Sequence, residues 1–138
     1  LFNTNYQYDL IICADVFEHV ENPYSFLKEL KKKSKYFLFN IPLELSLLSM
    51  LRGINVCRES YESVGHLHFY SASSANLILE ISGYEIIEKK FAKNRTGLFF
   101  SKVSLKKIIS TFPQLIIESF SPYISSALMG DSLVVLAK

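Results

Sequence analysis

The chain has no tryptophan, and its 138 residues include only two cysteines, five glycines and four prolines. Two cysteines make no disulfide framework, and the spacing of Cys13 and Cys57 fits no metal motif. Cys13 stands inside an apolar run, as a buried free thiol does in a reducing cytoplasm. The five glycines nowhere form Gly-x-Gly. Basic residues outnumber acidic ones by 15 to 13, a net charge of +2, too small to imply nucleic acid or a membrane surface as partner. No apolar run approaches the ~18 residues needed to cross a bilayer. The opening LFNTN has no basic segment followed by an apolar one, so a signal peptide is not expected. It also has no initiator methionine, and the expectation is a start inside a longer reading frame.

What is present is an ordinary globular composition, 49% hydrophobic and 20% charged, with 11 Phe and 8 Tyr to fill an interior. The length supports one core, and residues 1–138 read as a single domain. The most informative stretch is Tyr8 to Val20, YDLIICADVFEHV, in which an apolar run ends at Asp15 and an acid–imidazole pair, Glu18-His19, follows. Tyr8 to Ala14 reads as a strand whose unbroken apolar character predicts helices on both faces. Asn22-Pro23 opens a helix, with Asn as N-cap and Pro where its missing N–H is no loss. Phe26, Leu27 and Leu30 give that helix one apolar face, and Lys31 to Lys33 crowd its C-terminal end. Tyr36 to Ile41 is a second strand, closed by Pro42, so strand, helix and strand form a parallel, right-handed βαβ unit.

Further on, Leu43 to Leu51 reads as a helix ended by Gly53, and residues 54 to 65 as a loop without periodicity. Ser71 caps a third helix with Leu77, Ile78 and Ile81 as inner face and Gly83 as left-handed stop. Tyr84 to Phe91 is a strand. Leu98 to Tyr123 holds one or two short helices, broken near Phe112-Pro113 and Ser121-Pro122. Leu133 to Ala137 is the last strand.

Tyr8 to Val20, the helix from Pro23 and the strand ending at Pro42 resemble the middle of a class I S-adenosylmethionine-dependent methyltransferase. Small-molecule enzymes of the ubiquinone-biosynthesis and type 11/type 12 kind carry a similar acid–imidazole segment after their fourth strand. Gly65-His66, Phe69-Tyr70-Ser71 and Gly83-Tyr84-Glu85 resemble their segment before the sixth strand. The resemblance covers roughly residues 6 to 92. It implies an α/β, Rossmann-like methyltransferase fold, strand order 3-2-1-4-5-7-6 with the last strand antiparallel. Tyr8–Ala14, Tyr36–Ile41, Tyr84–Phe91 and Leu133–Ala137 would be strands four, five, six and seven. Strands one to three, and the Gly-rich loop that cradles the cofactor, have no counterpart here. The resemblance therefore implies a partial fold, the C-terminal half of a domain whose complete form uses S-adenosylmethionine.

By the same resemblance Cys13, Ala14, Asp15 and Val16 form one wall of the cofactor pocket, and Glu18, His19 and His66 face a small-molecule acceptor. Read from the residues alone, Asp15 is equally a turn acid. Glu18-His19 is either a general-base pair or an exposed first-turn pair. His66 and His68, two apart on an extended segment, should point the same way. Metal hydrolysis by His19, His66 and His68 is a further reading, but these residues give no clear ligand set and no metal is assigned. With strands one to three absent, Tyr8–Ala14 becomes an open edge. Such an edge predicts a homodimer, pairing with a missing half, or a non-catalytic interaction module. The isolated chain is expected to be inactive.

Overall fold

The computed structural model describes residues 7–51, 55–92, 121–129 and 132–138. It contains β1 (Tyr8–Ala14), a 3-10 turn at Phe17–His19, α1 (Pro23–Lys31) and β2 (Ser34–Pro42). These are followed by α2 (Leu47–Leu51), α3 (Asn55–Val64), α4 (Ala72–Ile81), β3 (Ile86–Ala92), α5 (Pro122–Met129) and β4 (Ser132–Ala137). The four strands form one sheet in the order β1-β2-β4-β3. β1 and β2 are parallel, with Ile12 opposite Leu38 and Ala14 opposite Asn40. β4 lies antiparallel to both β2 and β3, so β3 runs in the same sense as β1 and β2. This is the 4-5-7-6 portion of the order that the resemblance implies.

Alternation along the strands decides where the core lies. Phe37, Phe39 and Ile41 of β2 and Leu133, Val135 and Ala137 of β4 are buried and share a cluster with Leu27 and Leu30 of α1 and Ala75 and Leu79 of α4. The aromatic centre is tightly arranged: Phe37 and Phe39 stack at 6.0 Å, and Tyr84 meets Phe39 edge-on at 5.1 Å. Tyr84 Oη also donates to Leu27 O at 2.8 Å, tying the end of α4 to α1. No helix among the described residues is long and apolar enough to cross a membrane.

The helix starts follow the predicted chemistry. Asn22 Oδ1 accepts the Ser25 N–H at 2.9 Å with Pro23 in the first turn. Ser71 caps α4 in a reciprocal box with Ser74. Ser71→Ala is expected to lower stability by about 1 kcal/mol, read as a shift of the urea midpoint at unchanged slope. A shift near zero would contradict the cap's role. Gly83 closes α4 at φ +93.

Four expectations need correction. β1 was expected to be covered on both faces, yet only Cys13 is buried, and Leu10 and Ile12 are 46% and 66% exposed. The one helical layer that packs with the described core, α1 and α4, meets the other side of the sheet. The helix expected from Leu43 begins only at Leu47, because Leu43 is a core residue and the Leu45 N–H bonds to Tyr70 O at 3.0 Å. The expected loop 54–65 holds helix α3. Cys57, Tyr61 and Val64 share one face of it, but Tyr61 and Val64 are exposed, and Arg58, Glu59 and Glu62 among them hide the period in the sequence. An Arg58–Glu62 pair at 2.8 Å spans one turn, and Gly65, at φ +77, donates to Tyr61 O and Ser60 O as a terminator. Finally, α4 buries Ala72, Ala75 and Leu79, with Ile78 partly packed, while Leu77 and Ile81 are exposed. Small alanines let the helix approach the sheet closely, so size and hydropathy pointed to the wrong face. The helices expected between Leu98 and residue 120 lie outside the described residues; α5 begins at Pro122, beside the break expected there.

Candidate functional site

The carboxyl ends of β1 and β2 bring the polar residues together. At Asp15 the chain leaves β1 with φ +50, the one non-glycine residue described with positive φ. Aspartate tolerates this left-handed conformation better than most residues. Asn40, opposite Ala14 in the register, fixes it twice: Asn40 O accepts the Asp15 N–H at 3.0 Å, and Asn40 Nδ2 donates to Asp15 Oδ1 at 3.0 Å. Ala14, Asp15 and Val16 are exposed there, while the Cys13 thiol points into the core. Burial, with help from the Glu18 and Asp15 carboxylates, pushes that thiol's pKa up to about 12, so it is not a nucleophile. Of the four residues assigned to the cofactor wall, Cys13 has only its backbone to offer.

After Asp15 the buried Phe17 ring pins the 3-10 turn, packing edge-on against Tyr70 at 5.2 Å and Phe39 at 6.1 Å. The turn presents Glu18 and His19. Glu18 is fully buried, not the exposed first-turn acid that its neighbours in sequence allowed. Its backbone carbonyl accepts the N–H groups of Leu67 and His68, which holds the 65–70 segment against the turn. Neither carboxylate oxygen has a hydrogen-bond partner, and the Tyr70 hydroxyl nearby lacks one too. Desolvation raises the Glu18 pKa, reinforced by the Asp15 charge; its own backbone N–H and the His19 and His66 rings act the other way.

The three imidazoles divide. His19 Nδ1 lies 3.1 Å from Gly65 O, and His66 Nδ1 lies 3.0 Å from Glu44 Oε2. The His19 and His66 rings meet edge-on at 4.7 Å. His68 Nε2 instead donates to Val20 O at 3.0 Å, so His66 and His68 do not converge as an extended segment predicted. One ligand atom each from Glu18, His19 and His66 lie within 4.8 Å of one another, and this set can hold a cation. The set His19, His66 and His68 is thereby corrected: Glu18 stands where His68 was expected. The three residues assigned to the acceptor side, Glu18, His19 and His66, form one cluster. Sequence reading missed Asn40, Glu44 and Ser60. A lone Asn inside the apolar run FLFNIP, near the strand's carboxyl end, was the available signal for Asn40. The partners of Glu44 lie 16 and 22 residues away and left no trace in spacing.

A family model described as a methyltransferase domain matches residues 3–89. No curated protein matches. Among solved structures, a SAM dependent methyltransferase from Archaeoglobus fulgidus superposes with TM-score 0.56 at 17% identity over 96% of this chain and 59% of its own. The magnesium protoporphyrin IX methyltransferase of Synechocystis PCC 6803, solved with bound SAH, gives 0.53 at 14% identity over 98% and 46%. An S-adenosylmethionine dependent methyltransferase from Mesorhizobium loti gives 0.54 at 14% identity over 95% and 61%. The chain thus spans about half to three fifths of the length of these structures. Their likeness is one of fold, the partial Rossmann-like sheet; the family rests on the match over residues 3–89, and the chain belongs to the methyltransferase-domain family.

Proposed function

We propose that this chain is the C-terminal part of an S-adenosylmethionine-dependent methyltransferase domain acting on a small-molecule acceptor. The observation that carries this reading is the gathering of Asp15, Glu18, His19 and His66 beyond the carboxyl ends of β1 and β2, where open parallel sheets bind ligands. Ala14, Asp15 and Val16 would hold one side of the cofactor, with Asn40 fixing the turn. The exposed end of β1 and the left-handed turn at Asp15 fit such a wall. When bound, S-adenosylmethionine supplies an electrophilic methyl group on a sulfonium. The protein's part is orientation and a proton acceptor. His19 and His66 face the acceptor side, and either can take the proton from its O–H or N–H. Glu18, fully buried with its carboxylate within 4.8 Å of both rings, would act on the acceptor only through them.

The wall opposite β1, with a Gly-rich loop, would come from polypeptide upstream, and the chain by itself would be inactive. Upstream coding DNA tests this: a strand, Gly-rich loop and helix in frame is the expected result, and a stop codon with no such element sinks the reading. The free thiols Cys13 and Cys57 accord with a cytoplasmic setting.

A second reading has its own observation. β1 pairs with β2 alone among the described strands, and Leu10 and Ile12 on it are exposed. An apolar edge of that kind favours a non-catalytic module that pairs through the Tyr8–Ala14 edge with a second copy or another protein. Sedimentation discriminates: this reading predicts a dimer or complex, and a clean monomer without partners counts against it.

A further inference from the structure

Glu44 stands two residues past β2, in the extended stretch that precedes α2. Its backbone carbonyl accepts the Ser46 N–H at 3.0 Å and the Ser49 hydroxyl, and the adjacent Leu45 N–H is taken by Tyr70 O. Its side chain is held at both oxygens. Oε1 accepts the Ser60 hydroxyl from α3 at 2.6 Å, and Oε2 lies 3.0 Å from His66 Nδ1. The Glu44 and His66 side chains are 19% and 11% exposed, so water competes weakly for this pair. A carboxylate oxygen can only accept from a neutral imidazole, so the shared proton sits on His66 Nδ1. Nε2 is then the nitrogen with the lone pair, on a ring that meets His19 edge-on and belongs to the Glu18–His19–His66 cluster.

We infer that Glu44 is a positioning residue: held by Ser60, it locks His66 as the Nδ1–H tautomer and so makes His66 Nε2 a proton-accepting atom of the cluster. The inference rests on the methyltransferase reading only for its use. There, the acceptor's O–H or N–H bond breaks with its proton passing to His66 Nε2. When bound, the donor would supply the methyl carbon for the new bond from that oxygen or nitrogen and would keep the electron pair of its own C–S bond as a neutral thioether. The positive charge gained by His66 is balanced by the Glu44 carboxylate. The opposite tautomer would instead put an N–H where the lone pair is needed, and a flipped ring would put a C–H there.

Long-range proton–nitrogen correlation spectra of the ¹⁵N-labelled full chain, recorded above the histidine titration range, read the tautomer of each ring directly. In the wild type, His66 is expected with Nδ1 protonated and Nε2 bare. His68, whose Nε2 donates to Val20 O, is expected in the opposite form and serves as an internal reference. In Glu44→Ala the His66 ratio should move toward Nε2–H by about tenfold or more, the loss of one charge-assisted hydrogen bond, with His19 and His68 unchanged. A merely structural Glu44 would leave the His66 tautomer where it was. Wild-type His66 carrying its proton on Nε2 overturns the inference even if the variant fails to fold, and so does a folded Glu44→Ala with an unchanged His66. Neither measurement needs cofactor or acceptor. A wrong tautomer therefore leaves the methyltransferase reading intact, and failure of that reading leaves the tautomer result standing.

Discussion

Replacing Phe17 by alanine is expected to lower stability by about 3–5 kcal/mol, the range for deleting a fully buried aromatic side chain. Phe17 is wholly inaccessible and bridges Phe39 of the sheet to Tyr70 of the segment beyond Gly65. The loss combines the removed apolar surface with a cavity that two rigid neighbouring rings cannot fill. It also has a local consequence. Phe17 is the anchor of the turn whose next two residues are Glu18 and His19, and Leu67 and His68 bond to that turn through Glu18 O. Urea unfolding measures the first effect, and hydrogen exchange at the Leu67 and His68 amides measures the second. A loss below about 1 kcal/mol with unchanged amide protection would show that the turn is held elsewhere.

Glu18→Gln should stabilise the protein at neutral pH, because the amide fills the same buried site without the charge that burial disfavours. The folded-state pKa of Glu18 is raised above its ordinary carboxylate value of 4.5, chiefly by desolvation. The native state therefore holds this proton more tightly than the unfolded chain. The stability linked to it is fully present below the unfolded pKa and is lost as pH rises through the folded one. The stability difference between variant and wild type should be near zero in acid and grow as pH rises from the ordinary carboxylate range toward neutrality. Thermal unfolding across that window checks the sign. A variant less stable than wild type at neutral pH would mean that the carboxylate has a stabilising partner in the folded protein. A buried, unpartnered acid that lowers stability has the character of a functional group rather than a structural one.

Much of this architecture is legible in the sequence where local chemistry decides it. Asn22-Pro23, Ser71 and Gly83 punctuate helices through hydrogen bonds to their own neighbours, and they stand where expected. The apolar runs at β1 and β2 are strands because continuous apolar sequence with β-branched and aromatic residues suits a sheet. What failed depends on partners distant in sequence. The apolar face of helix α3, Cys57, Tyr61 and Val64, is too short and too exposed to stand out, and the inner face of α4 is set by alanines that hydropathy ranks below Leu77 and Ile81. At the site, Asp15, Glu18 and His19 were readable as polar residues beyond a strand end, and His66 through the family resemblance. The fixing of Asp15 by Asn40, the divergence of His68 from His66 and the pairing of Glu44 with His66 come from tertiary contacts that no single-sequence pattern encodes.

The central claim is that this chain carries one wall of a cofactor pocket whose other wall lies in further polypeptide. Isothermal titration with S-adenosylmethionine tests it most directly. This chain alone should give no saturable heat at ~100 μM ligand, the scale of about 5.5 kcal/mol of binding free energy. The polypeptide extended to include a Gly-rich strand–loop–helix should bind, and Asp15→Ala in it should weaken binding. Saturable tight binding by this chain alone, or none by the extended polypeptide, would contradict the account.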